Sequence, residues 1–176
     1  HLFLPQGKAD PSFRSQLLKV RQQRIRPGLD DKILTGWNAL TIGALARAGQ
    51  VFERQDWVDQ ACQTLDLLRQ QLWQDGRLRA VYAGGKAYQN ACLDDYAYLL
   101  NAILTLLQAR FRSADLQWAE QLAAVLLDEF EDKDNGGFYF TGAHHETLIC
   151  RPKPGHDAAT PSGNAIAAFA LQRLGH

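Results

Sequence analysis

Apolar residues recur along this chain in two alternating helical patterns. Residues 36–49 carry one charge, Arg47, and are apolar or small around nearly the whole circumference, which predicts a helix buried on most sides and stopped by Gly49. Between residues 56 and 73 the spacing changes: Trp57, Ala61, Leu65, Leu68 and Leu72 form one stripe, with Asp59, Gln63, Arg69 and Gln70 opposite. That is a one-sided outer helix. The pair returns as an uncharged run over 96–109 and a striped helix over 115–130, with Leu116, Ala119, Leu122, Ala123, Leu126 and Phe130 on its apolar face. A third buried segment starts at Pro161-Ser162-Gly163 and is still running at Leu174. A further helix is expected near the beginning, with Asp10 as N-cap, Pro11 in the first turn and Arg26-Pro27-Gly28 as the stop.

Inner and outer helices therefore alternate in a repeat of roughly sixty residues, the signature of stacked helical hairpins. The connections are not plain turns. Asp75-Gly76 and Gly84-Gly85 bracket the β-prone stretch 78–82 and lead to 87–89, and Asn135-Gly136-Gly137 precedes Phe138-Tyr139-Phe140 and then Thr147-Leu148-Ile149-Cys150, so a small β-hairpin is expected before each later inner helix. A ring with apolar helices inside and amphipathic ones outside buries this pattern economically. The expected fold is all-α: an α/α toroid of the six-hairpin barrel type, about half of the ring present, with short β-hairpins in the connections. A stacked solenoid is the alternative, although it has no need of such long glycine-rich connections. Residues 1–176 are expected to be a single partial barrel domain, part of a longer polypeptide.

Charge and cysteine content narrow the function classes. Nineteen Lys and Arg balance nineteen Asp and Glu, so nucleic acid is not an expected partner. No apolar run approaches the ~20 residues of a membrane span, and no membrane role is expected. The three cysteines, Cys62, Cys92 and Cys150, form no CxxC, so neither a disulfide framework nor a zinc knuckle is indicated. Reduced thiols and a cytoplasmic location follow as the expectation, with no cofactor and no metal.

The segments leading into the inner helices hold most of the distinctive polar residues. The first carries Arg26, Asp30, Asp31, Lys32, Trp37 and Asn38; the second carries Asp94, Asp95 and Tyr96; the third carries Arg151, Lys153, His156, Asp157 and Asn164. Loops held by a rigid scaffold are where function concentrates. Paired carboxylates at a ring mouth suit acid–base work on a glycosidic centre, with Asp31 and Asp95 as the candidate catalytic pair. Trp37, Tyr82, Tyr88 and Tyr96 offer faces for a sugar ring, Asn38, Asn164 and Asp95 offer hydroxyl partners, Asp30 and Asp94 are further substrate-binding candidates, and Arg151 and Lys153 suit an anionic substituent. A second role is open for the acidic residues, because Asp ahead of a helix also caps free N–H groups. His156-Asp157 is a candidate oriented base. Ser162 reads as an N-cap, and His144-His145 as a solvated hairpin tip whose rings point to opposite faces.

Taken together, the strings RIRPGLDDKILTGWNALTIGALARAG, ACLDDYAYLLNAILTL, DNGGFYFT and ATPSGNAIAAFAL resemble the spermatogenesis-associated, thioredoxin-domain-containing (YyaL-like) family over residues 12–174. The matching positions are Arg26, Pro27, Asp30, Asp31, Lys32, Trp37 and Asn38, then Asp94, Asp95 and Tyr96, then Thr160 to Asn164. The sequence departs from the pattern at His156-Asp157-Ala158-Ala159, where an Asp-Gly-Ala run is expected. The resemblance implies an N-terminal thioredoxin-like domain followed by an α/α barrel similar to six-hairpin glycosidases and N-acylglucosamine 2-epimerase. It supports the fold more than a reaction. Two functions follow as expectations: a carbohydrate-active barrel, glycoside hydrolase-like or epimerase-like, or one that binds carbohydrate; alternatively, a non-catalytic scaffold accompanying the thioredoxin-like domain. A half-ring is also expected to expose apolar edges suited to self-association.

Overall fold

The computed structural model describes residues 11–146 and 148–176. Asp10, the expected first cap, and Thr147, in the expected second hairpin, lie outside the described residues. The chain divides into two compact units, residues 1–31 and 32–176. The first unit holds α1 (Pro11–Gln22), which ends short of Arg26-Pro27-Gly28 and buries none of its residues. The second unit holds the hairpins.

There the alternation takes the form of an inner layer, α2 (Thr35–Val51), α4 (Leu93–Ala109) and α6 (Gly163–Gly175), and an outer layer, α3 (Gln55–Leu72) and α5 (Ser113–Val125). Helix α3 buries Ala61, Leu65, Leu68 and Leu72 of its expected stripe, but Val58 and Cys62 complete the buried face while Trp57 stays half-buried at its edge. Each fully buried Leu or Val contributes about 1.5–3 kcal/mol. Only α4 is buried on most sides, because α2 and α6 both pack against it. Helix α2 keeps a bare side at Trp37, Thr41, Ala44 and Arg47, contrary to the even burial its composition suggests. That edge forms an apolar groove of about 430 Å³ between Leu40, Ala44, Leu45, Ala48 and Trp57.

Gly49 does not stop α2. The helix runs past it to Val51, and a Cβ at Gly49 would stand 2.6 Å from Val58 Cγ2 and 3.0 Å from the Arg54 carbonyl oxygen. The glycine is the point of closest approach within the α2–α3 hairpin. The outer layer is joined by charge: the buried Asp115 carboxylate accepts from Arg69 at 2.9 Å and from Arg112 at 2.6 Å, and Arg112 also reaches Asp66 at 2.9 Å. Helix α5 passes into a π-helical turn, Leu126–Phe130, rather than running as one α-helix to Phe130.

The first connection is the antiparallel sheet the turn signals predict. Strand β3 (Arg77–Ala83) pairs with β1 (Ile33–Leu34), β2 (Trp73–Gln74) and β4 (Lys86–Asn90), in the register Leu34 to Val81 to Tyr88. The second expected hairpin is not a ladder. It reduces to one bridge between Glu131 and Phe138, and the chain beyond Thr141 turns instead. The Arg151 guanidinium holds that turn by donating to the Thr141 and Glu129 carbonyls, and it lies 4.2 Å from the Tyr139 ring centre. Among the described residues no helix is long and apolar enough to cross a membrane.

Candidate functional site

The three inner helices begin side by side, and an acidic pair joins them. Helix α4 starts at Leu93, so Asp94 and Asp95 stand in its first turn rather than ahead of it. Asp95 Oδ2 accepts the Cys92 N–H at 3.0 Å, closing the end of its own helix, while Oδ1 accepts the Gly36 N–H of α2 at 2.9 Å. Helix α2 has no side-chain cap of its own, so Asp95 supplies one from across the rim. Asp94 leans the other way, against Gly163 at the start of α6. A Cβ there would collide with Asp94 Oδ1 and meet Leu93 Cγ at 3.3 Å. Gly36 is under the same constraint, its missing Cβ lying 3.0 Å from Asp95 Oδ1. Each glycine follows a hydroxyl residue, Thr35 or Ser162, and that repeated pair is the signal the sequence reading passed over.

The electrostatics of the rim follow from burial. Burial pushes the Asp95 carboxyl up to about 6, against the two N–H bonds that pull it down. Asp94 is raised for the same reason, and its Oδ1 is buried without a hydrogen-bond partner among the described residues. Burial, reinforced by both carboxylates, pushes the Cys92 thiol up to about 11. Tyr98, absent from the sequence candidates, donates its hydroxyl to the Pro161 carbonyl and is raised by burial.

Several sequence candidates are spent on holding the fold. Tyr96 is fully buried (0% exposed), and its hydroxyl accepts the Leu78 N–H at 2.8 Å, so it offers no face to a sugar. Asn164 makes a paired bond with the Phe138 backbone, accepting at 2.7 Å and donating at 2.8 Å. Lys153 is bound to Asp132 and holds that carboxyl well below the usual range, while Arg151 closes its turn, so neither cation is free for an anionic substituent. Asn38 donates back to the Leu34 carbonyl at 2.8 Å. Tyr82 is half-buried in β3 opposite Ile33.

Other candidates remain open. Trp37 is 67% exposed in the first turn of α2. His156 is exposed, but Asp157 does not orient it, since its carboxylate accepts the Ser162 N–H at 2.8 Å. Ser162 is the N-cap of α6 as read, with Oγ accepting the Ala165 N–H at 3.4 Å. Asp30 and Asp31 are exposed in irregular chain of the first unit. The histidine pair is a correction. Its rings lie 4.7 Å apart rather than on opposite faces, and the His144 side chain is 12% exposed with Nδ1 3.2 Å from Glu129 Oε2. The alternation of a strand does not apply there because the segment is a turn.

This arrangement, inner helices that begin around the acidic first turn of α4 and are backed by outer helices, is that of a six-hairpin α/α toroid. The chain superposes on a cellobiose 2-epimerase from Bacillus thermoamylovorans with a TM-score of 0.68 at 17% identity, covering 84% of this chain and 41% of that one. A D-mannose isomerase gives a TM-score of 0.65 at 14% identity over 81% and 38%, and a family 105 glycoside hydrolase from C. acetobutylicum gives 0.65 at 13% over 92% and 51%. In sequence the chain is homologous to a segment of the spermatogenesis-associated protein 20 family, as its motifs imply. It is 34% identical to the rat protein and 32% identical to the human one, over 170 residues in each case. The alignments cover 90% of this chain and 22% of the relatives' length. No family model matches the chain.

Proposed function

We propose that this chain forms part of the wall of a carbohydrate-active α/α barrel, and that the sugar is handled where α2, α4 and α6 begin. The observation that carries the reading is Asp94: a carboxyl at the rim, raised by burial, with Oδ1 left without a partner. A carboxyl raised in this way holds its proton closer to neutral pH, as a general acid requires. Trp37 supplies the flat apolar face on which a pyranose stacks, and His156 is the candidate for the complementary base. Asp95, which the sequence pairs with Asp31 as acid and base, acts instead as a positioning residue, since both its oxygens are engaged with helix ends. The likeness to an epimerase, an isomerase and a glycoside hydrolase supports a sugar as the substrate class.

The test is turnover of cellobiose, mannose and related oligosaccharides by the intact polypeptide carrying this chain. Asp94→Asn is expected to lower turnover by a factor on the order of 10²–10⁴, the worth of a positioned acid, with circular dichroism unchanged. Trp37→Ala is expected to weaken binding. Full activity in both variants would sink the proposal. The alternative, a non-catalytic scaffold for a thioredoxin-like domain of the same polypeptide, draws support from the internal bonding of Tyr96, Arg151, Lys153 and Asn164. No sugar binding and no turnover by the wild-type polypeptide would favour it.

A further inference from the structure

A second polar site lies at the other end of the inner helices. Thr105 is three turns beyond Asp94 along α4, about 16 Å at 1.5 Å per residue. There a groove of about 390 Å³ is lined by Arg47 of α2, Asn101, Thr105 and Gln108 of α4, and Phe169 and Arg173 of α6. Arg173 is half-buried and folds back into this groove. Its Nη1 donates to Asn101 Oδ1 at 2.7 Å and to Thr105 Oγ1 at 3.3 Å, and its guanidinium carbon lies 5.5 Å from the Phe169 ring centre. All three partners are neutral.

Among the described residues the wall contains no carboxylate. Helices α2 and α6 have no Asp or Glu, and α4 has none after Asp95. Neither Arg47 nor Arg173 forms an ion pair with a described residue, whereas Arg54, Arg69, Arg77, Arg110 and Arg112 each do. Burial accordingly pulls the Arg173 pKa down. An arginine left to water would extend into it; this one is drawn across an aromatic face and fixed by an amide and a hydroxyl. The helix dipole offsets only about half a charge at a C-terminus, less than the two guanidinium groups present.

We propose that this groove binds a small oxyanion, the phosphate or carboxylate group of a metabolite, clamped between Arg47 and Arg173 with the Asn101 and Gln108 amides as further donors. Guanidinium forks match both oxyanions in a bidentate geometry, which a lone ammonium does not. The site is separate from the rim carboxylates and does not depend on the sugar proposal.

Calorimetric titration of the intact polypeptide with sodium phosphate and with sodium citrate, at constant ionic strength set by chloride, tests it. Saturable binding of at least one of the two is expected, and the tighter of them identifies the oxyanion. Arg47→Gln and Arg173→Gln are each expected to weaken binding by about tenfold or more, the worth of one charge-assisted pair. Gln108→Glu places a carboxylate at an exposed wall position without touching the core, and should abolish binding while leaving thermal unfolding unchanged. Arg173→Lys should retain part of the affinity if the glutamine variant proves unstable. Absence of saturable binding by either anion would overturn the proposal. So would equal affinity in the wild type, Arg47→Gln and Gln108→Glu.

Discussion

Replacing Asp95 with asparagine preserves the shape of the side chain and removes its charge, which makes it a clean probe of the rim. In the native protein the carboxylate accepts from Gly36 and Cys92, yet burial outweighs both bonds and holds its pKa at about 6 against an ordinary 3.8. The folded state thus binds this proton more tightly than the unfolded chain does. The Asp95 contribution to stability is fully present below about pH 4 and is lost as the pH rises through 6. The whole swing is about 3 kcal/mol at 1.36 kcal/mol per pH unit. Asparagine has no such titration. It carries a separate penalty of about 1–3 kcal/mol, because its amide matches only one of the two N–H donors, but that penalty does not vary with pH. Urea unfolding of both proteins, followed by tryptophan fluorescence between about pH 4 and pH 8, separates the two effects. The wild type's advantage over Asp95→Asn should shrink by about 3 kcal/mol across this range, a change of about 1–3 M in the gap between midpoints. Parallel curves would refute the assignment of Asp95 as a buried, titrating tie between two helix ends.

Three further outcomes are expected. Gly49→Ala gains helix propensity of up to about 1 kcal/mol but drives a Cβ to 2.6 Å from Val58 Cγ2, so a net loss of about 1–3 kcal/mol is expected in thermal unfolding; a gain would show that the α2–α3 hairpin is looser than described. Tyr96→Phe leaves the Leu78 N–H buried without its acceptor, which should cost about 1–3 kcal/mol and speed exchange of that amide; unchanged exchange would contradict the bond. Native thiol labelling near pH 8 should modify the exposed Cys150 first, because Cys62 is buried and the Cys92 thiol is pushed up to about 11; equal rates for all three would argue against the burial of the rim.

The period of the apolar positions determined the layers. Ala61, Leu65, Leu68 and Leu72 recur at helical spacing, so α3 has one face to bury, and the glycine turns at Asp75-Gly76 and Gly84-Gly85 put β3 beside its neighbours. Such features are local: each depends on residues within a few positions, where side-chain volume and allowed dihedrals decide the outcome. The N-cap role of Ser162 was legible for the same reason.

What the polar side chains do was decided only in three dimensions. An Asp in a first turn, an Arg in a lead-in loop or a Tyr beside an acidic pair has the same composition whether it binds a ligand or closes the fold. Asp95 became a tie because a free N–H of α2 faces it at 2.9 Å from 59 positions away, and Tyr96 left the candidate site because the Leu78 N–H needed a buried acceptor. Backbone donors freed at helix and strand ends must find partners wherever packing brings them, and no local pattern records which side chain will be nearest. The same logic made the Arg47 and Arg173 groove invisible in sequence, since a cation becomes unusual only once the structure shows that no carboxylate among the described residues has reached it.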